Sequence, residues 1–238
     1  MRTVILAAGM GTRLRPVIGN GKQKTMAKYS DKPLLQRNIE ILKENGLEDI
    51  VIVVNYKKEE IMDFFGDGSR FGVKIEYVVQ KNPKGGTADA VKCIKDKITE
   101  EKFVLIFGDN IFDPKILYRI LEEVNGYDGI LCGKEVEDPS RFGILEMDGK
   151  HVKRIIEKPE NPPSNLALTG LFVLPKDIFS AIERTKLSKR SEYELTDSIQ
   201  ILLDEGREFG FVAATEFWLD PSSKDEMSKA EKLVKVST

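Results

Sequence analysis

Two glycines and two arginines stand directly behind the first apolar run of the chain, in LAAGMGTRLRP from Leu6 to Pro16. Glycines at positions 9 and 11 let backbone amides approach a polyphosphate closely, and Arg13 adds a forked cation matched to phosphate oxygens. The loop is not the dinucleotide fingerprint G-x-G-x-x-G, because Leu14 occupies the third glycine position. Nor is Gly19–Thr25 a P-loop: Pro16 stands where its first glycine belongs, and Gln23 follows Lys22 in place of Ser or Thr. Farther along, Asp109 comes directly after the apolar run Phe103–Phe107. A carboxylate at the end of a strand suits a magnesium ligand, and it also suits an ordinary turn. His151 is the only histidine. Any metal here is therefore held by carboxylates, which selects Mg2+ or a similar hard cation.

Composition removes several function classes. The 238 residues carry 37 basic and 39 acidic side chains, a net charge of −2. A sequence-independent nucleic-acid binder needs a basic surplus that this chain lacks. No apolar stretch approaches the roughly 20 residues of a membrane span. The start, MRTVILAAG, has no secretory leader pattern, and the expected location is the cytoplasm. Cys93 and Cys132 fall in a predicted helix and a predicted strand, so buried thiols are expected rather than a disulfide. Oligomeric state is not legible, a homo-oligomer included.

The elements that must position these residues alternate between strand and helix in the first half. Strands are predicted at Thr3–Ala7, Asp49–Val54, Val73–Gln80, Phe103–Phe107 and Gly129–Val136. Helices are predicted at Pro33–Asn45, Glu59–Phe65, Thr87–Ile98 and Ile116–Val124. The pattern then changes to a β-hairpin, Phe142–Met147 and Val152–Glu157, about the turn signal Asp148-Gly149. Strand Leu168–Leu174, helices near Asp177–Arg184 and Leu195–Asp204, strand Phe209–Ala214 and a last helix from Lys224 follow. The expected fold is a single-domain, Rossmann-like α/β protein over residues 1–238. It has a mostly parallel sheet, flanking helices and an inserted β-hairpin, with no room for an appended domain.

AAGMGTRLRP, with a lysine and then Lys32-Pro33 behind it, resembles the nucleotidyltransferases that join a sugar 1-phosphate to an NTP. Their signature is G-x-G-T-R-L-x-P, followed by a lysine at a fixed distance before a Lys-Pro pair. Lys24 keeps that spacing, Lys22 is its rival, and Gln23 replaces the family's usual proline. The likeness continues along the chain. Gln80-Lys-Asn-Pro-Lys-Gly85-Gly86-Thr87-Ala88 is similar to Q-x-x-P-x-G-T-A with one extra glycine, and Leu168-Thr169-Gly170-Leu171-Phe172 is similar to V-T-G-L-Y. Glu157-Lys158-Pro159, Glu194-Leu195-Thr196-Asp197 and Trp218-Leu219-Asp220 match further motifs, although Pro221-Ser222-Ser223 replaces a glycine-containing turn. Phe107-Gly108-Asp109-Asn110-Ile111-Phe112 is especially like the thymidylyltransferases acting on glucose 1-phosphate.

The resemblance implies a nucleotide-binding half, about residues 1–112, and a sugar-phosphate-binding half, about 113–238. It assigns Ala8, Gly9, Gly11, Thr12, Arg13, Gln80, Gly86 and Thr87 to the nucleotide, with Gln80 and a glycine amide reading the base. Asn110, Gly143, Glu157, Lys158, Leu168 and Glu194 go to the sugar phosphate, and Asp109 and Asp220 to Mg2+. Catalysis falls to Arg13, Lys24, Asp109 and Lys158. The implied reaction is Mg2+-dependent transfer of a nucleotidyl group, from dTTP or UTP by preference, to glucose 1-phosphate. Two alternatives stay open. One is a CTP-dependent enzyme acting on a sugar, inositol or choline phosphate; the other is a non-catalytic sensing subunit of the same fold. Neither a nucleic acid nor a membrane is an expected partner.

Overall fold

The computed structural model describes residues 1–11, 23–29, 31–82, 84–221, 226, 228, 229, 232 and 233. Strand β1 (Thr3–Ala7) leads, across a 3-10 turn at Lys24–Met26, to the short pair β2 (Lys28–Tyr29) and β3 (Lys32–Pro33). Then come α1 (Leu34–Glu44), β4 (Asp49–Val54), α2 (Lys58–Phe65), β5 (Lys74–Val79), α3 (Gly86–Lys92) and β6 (Lys102–Phe107). The chain continues with β7 (Ile111–Phe112), α4 (Pro114–Glu123), β8 (Gly129–Glu135), the hairpin β9 (Gly143–Asp148) and β10 (His151–Glu157), and β11 (Leu166–Pro175). Helices α5 (Ile178–Arg184) and α6 (Leu195–Asp204), β12 (Phe209–Ala213) and β13 (Trp218–Leu219) complete it. Most of the helix expected from Lys224 lies outside the described residues.

Nine of these strands form one sheet among the described residues, in the order β10-β9-β11-β6-β1-β4-β5, with β8 lying between β11 and β12. The parallel part is β5-β4-β1-β6, plus β12 on β8. Strand β11 runs antiparallel to β6, β8 and β9, so the sheet is mixed where the second half joins the first. Continuous apolar runs such as DIVIVV in β4 are explained by burial on both faces. One face packs Ile39 of α1, Phe65 of α2 and Leu117 of α4 against Ile5, Ile52 and Ile106. The other packs Val91 of α3, Phe179 of α5 and Ile199 of α6 against Val4, Val51 and Phe103.

The helix expected over Thr87–Ile98 is shorter than its apolar spacing suggests. It ends at Lys92, and a 3-10 turn at Lys95–Lys97 follows. Bonds from Ile94 N to Val91 O (3.1 Å) and from Lys97 N to Ile94 O (2.9 Å) tighten the chain. Spacings of three and then four residues still bury Val91, Ile94 and Ile98, so the apolar pattern is satisfied although the α-helix stops early. The hairpin forms as expected, with Gly149 at φ +59° in the turn.

Candidate active site

Three residues far apart in sequence meet at the carboxyl ends of the central strands, where open α/β sheets bind ligands. The Nζ of Lys24 lies 2.8 Å from Asp109 Oδ2 and 3.0 Å from Asp220 Oδ1. Asp109 is delivered by the end of β6 and Asp220 by the end of β13. Burial of the ammonium works against its charge, but the two carboxylates outweigh it and raise the Lys24 pKa above the ordinary lysine value. Lys24 is therefore a fixed cation at any ordinary pH.

The two carboxylate-bearing segments are tied together below the lysine. Strands β7 and β13 pair antiparallel, Phe112 opposite Trp218 and Ile111 opposite Leu219. Trp218 Nε1 donates to Asn110 Oδ1 (2.8 Å), and Asn110 Nδ2 donates to Asp109 Oδ1 (3.3 Å). Asn38 Nδ2 donates to the carbonyls of Gly108 and Asn110, at 3.3 Å each. The segment leading to Trp218 is held from the other side: Lys134 Nζ donates to Ala214 O (3.0 Å) and Glu216 O (2.7 Å), and Arg119 pairs with the Glu216 carboxylate.

Two cavities meet at this point. The first, about 300 Å³, is lined by Ala8, Gly9, Gly11, Gln80, Gly86 and Thr87. The second, about 250 Å³, is lined by Asn110, Gly143, Glu157, Lys158, Leu168 and Glu194, with Arg141, Arg190, Phe172 and Trp218. Thr87, Phe107, Asp109 and Glu192 border both. The common roof is stitched by backbone bonds from Tyr193 N to Gly85 O and from Ala88 N to Tyr193 O, each 2.9 Å. Thr87 Oγ1 accepts from Leu195 N (2.9 Å) and so caps α6 from across the molecule. Gly86 sits at φ +86°, and a Cβ there would lie 2.5 Å from the Tyr193 carbonyl oxygen, so the close approach needs glycine.

The second cavity is charged on one wall. Arg190 Nη1 lies 3.4 Å from Glu157 Oε1 and 3.2 Å from Glu194 Oε1, while Thr196 Oγ1 donates to Glu157 Oε2 (3.0 Å). Lys158 Nζ stands 3.4 Å from Glu157 Oε1. Burial, and then the neighbouring Glu157 charge, push the pKa values of Glu194 and Asp197 up. The opposite wall is apolar: Phe172 packs edge-on to Phe107, with ring centroids 5.8 Å apart. A Cβ on Gly143 would lie 2.9 Å from Thr196 Cγ2, so the glycine keeps this wall close to the hairpin backbone.

Every expected site residue that is described therefore borders one of the two cavities or meets the other two at the Lys24 junction. Thr12, Arg13 and Lys22 lie outside the described residues. Arg141 and Arg190 were not among the expected residues, and an isolated arginine in a charged loop offers no spacing that would single it out. Gln80 enters the first cavity already engaged, its Nε2 donating to Gly86 O (3.1 Å) and Asp89 Oδ2 (2.9 Å). As for a metal, two carboxylates converging on one cation form a donor set suited to a hard divalent ion. No cluster of three or more His, Cys, Asp or Glu is assembled among the described residues, so substrate phosphates and water would complete the shell.

Comparison with known proteins identifies the family of the chain. The profile of the nucleotidyl transferase family matches residues 2–235. The low-salt glycan biosynthesis nucleotidyltransferase of Haloferax volcanii is 38% identical over 237 residues, covering 98% of this chain and 66% of that protein. The UTP–glucose-1-phosphate uridylyltransferase AglF of the same organism is 36% identical, covering 100% and 98%. Among solved structures, a Bacillus anthracis protein assigned as a glucose-1-phosphate thymidylyltransferase superposes with a TM-score of 0.89 at 30% identity, covering 99% and 96%. The chain thus spans about two thirds of one relative and nearly all of another. It belongs to the sugar-1-phosphate nucleotidyltransferase family.

Proposed function

We propose that this protein transfers a nucleotidyl group from an NTP to a sugar 1-phosphate, with dTTP or UTP and glucose 1-phosphate as the favoured pair. The observation that carries the reading is the meeting of two cavities at Asp109, with Lys24 and Asp220 at the junction. The glycine-lined cavity takes the nucleotide and the charged one takes the sugar phosphate. An oxygen of the sugar phosphate attacks the α-phosphorus in line. The new P–O bond forms as the bond from that phosphorus to the oxygen bridging the β-phosphate breaks, and pyrophosphate leaves with the electron pair. A sugar phosphate is already anionic at neutral pH, so no general base is needed.

The barrier is repulsion between polyanions, and positioned cations lower it. Lys24 holds the triphosphate, Arg13 joins it from the glycine loop, and Lys158 and Arg190 present positive charge to the incoming phosphate. Asp109 and Asp220 would hold Mg2+, whose chemistry is to neutralise charge on the reacting phosphates. Glu157 and Glu194 offer acceptors for sugar hydroxyls, and Gln80 lies at the base end of the first cavity. Free thiols at Cys93 and Cys132 accord with a reducing, cytoplasmic setting. The test is pyrophosphate release from a panel of NTPs and sugar 1-phosphates with Mg2+. Activity with dTTP or UTP plus glucose 1-phosphate, lost in Lys24→Ala but kept in Lys22→Ala, supports the reading. Activity with CTP alone overturns the base preference, and binding without turnover across the panel overturns the reaction.

A further inference from the structure

We propose that Gln23 is a positioning residue that sets where Lys24 stands between Asp109 and Asp220; the inference rests on the reaction proposed above. Gln23 is 1% exposed, and its side chain spans two parts of the site. Its Nε2 donates to the carbonyl of Ala7 (2.7 Å), the last residue of β1 before the glycine loop. Its Oε1 accepts from Thr25 N (2.5 Å) and Thr25 Oγ1 (2.8 Å), closing the turn that carries Lys24. The main chain is held too: Gln23 N donates to Glu60 Oε2 (3.0 Å), and Met26 N donates to Gln23 O (3.0 Å). A buried amide is costly unless its bonds are made, and the three made by this side chain all lead to the lysine turn or the end of β1.

Gln23 occupies the position where the resembling family has proline. Its φ of −76° is one a proline ring would also impose, so the backbone conformation is shared while the means of fixing it differs. A ring fixes one torsion. The glutamine instead ties that torsion to the end of β1, so the glycine loop and the lysine turn move as one piece. The fit is close, since a Cβ on Gly11 would lie 3.0 Å from Lys24 Cβ.

The test pairs kinetics with a readout that does not need turnover. Gln23→Leu keeps the bulk and removes all three side-chain bonds; Gln23→Glu loses the bond to Ala7 but keeps acceptors for Thr25. With saturating NTP, Mg2+ and sugar phosphate, kcat is expected to fall about 100-fold in Gln23→Leu and less in Gln23→Glu, with KM for the sugar phosphate near the parental value. Reductive methylation read by mass spectrometry, with the exposed Lys74 as internal reference, is expected to label Lys24 faster in both variants. If Gln23→Leu does not fold, Gln23→Glu alone decides by the same two measurements. An active parent whose folded variants match it in both kcat and Lys24 labelling overturns the role of Gln23 and leaves the reaction standing. A parent that releases no pyrophosphate with any pair, while labelling still rises in the variants, overturns the reaction and leaves Gln23 as the residue that holds Lys24.

Discussion

The two cavities are made in different ways. The first is shaped by main-chain turns, Ala8–Gly11 behind β1 and the turn at Gly86 ahead of α3, with two glycines at positive φ, +56° at Gly11 and +86° at Gly86. The second is largely side chain, a ring of Glu157, Lys158, Arg190, Glu194 and Thr196 facing Phe172 and Leu168. A pocket made from backbone tolerates few changes, because its shape depends on torsions and close approaches. A pocket made from side chains can be retuned one residue at a time without moving the chain.

The contrast can be tested by breaking each region in turn. The largest effect is expected at the junction that both regions share: Lys24→Ala should lower kcat by about 100- to 1,000-fold, measured as pyrophosphate release at saturating substrates. In the backbone-made region, Gly86→Ala should cost roughly 1–3 kcal/mol of stability through its positive φ alone, with more from the contact at Tyr193 O, visible as a lower Tm. In the side-chain region, Arg190→Ala should leave the fold intact and lower kcat/KM for the sugar phosphate about tenfold. A large Tm drop in Arg190→Ala, or none in Gly86→Ala, would erase the distinction between the regions.

The smallest effect concerns pH. The Glu194 pKa is raised in the folded state by burial and by Glu157, so the folded protein holds this proton more tightly than the unfolded chain. Its contribution to stability is fully present below the ordinary glutamate value of 4.5 and is lost as pH rises through the raised folded value. Glu194→Gln should therefore flatten the fall in Tm as pH rises above 4.5, leaving a residual slope from Asp197, which shifts the same way.

Much of this was legible in the sequence, and for stated reasons. Strands such as Asp49–Val54 and Thr3–Ala7 fall at their expected bounds because continuous apolar runs mark burial on both faces. Lys24, Asp109 and Asp220 were singled out by motif wording, though nothing in their spacing shows that they touch. The pairing of β7 with β13 was not legible, since two-residue strands have no periodicity to detect. Thr87 capping α6 was hidden for another reason: the bond joins residues 108 positions apart. Gln23 was visible only as a departure from a pattern, and its hydrogen bonds give that departure a purpose.

Trp218 is the only tryptophan in the chain. It is 5% exposed, its indole N–H is engaged by Asn110, and its ring stands edge-on to Phe142 at 5.6 Å. Two residues later comes Asp220, and through Asn110 the same ring is linked to Asp109. The molecule thus carries a built-in optical probe at the one place where nucleotide, sugar phosphate and cation would converge. Its emission can report each ligand's arrival and departure on an unlabelled protein, with no second indole to dilute the signal.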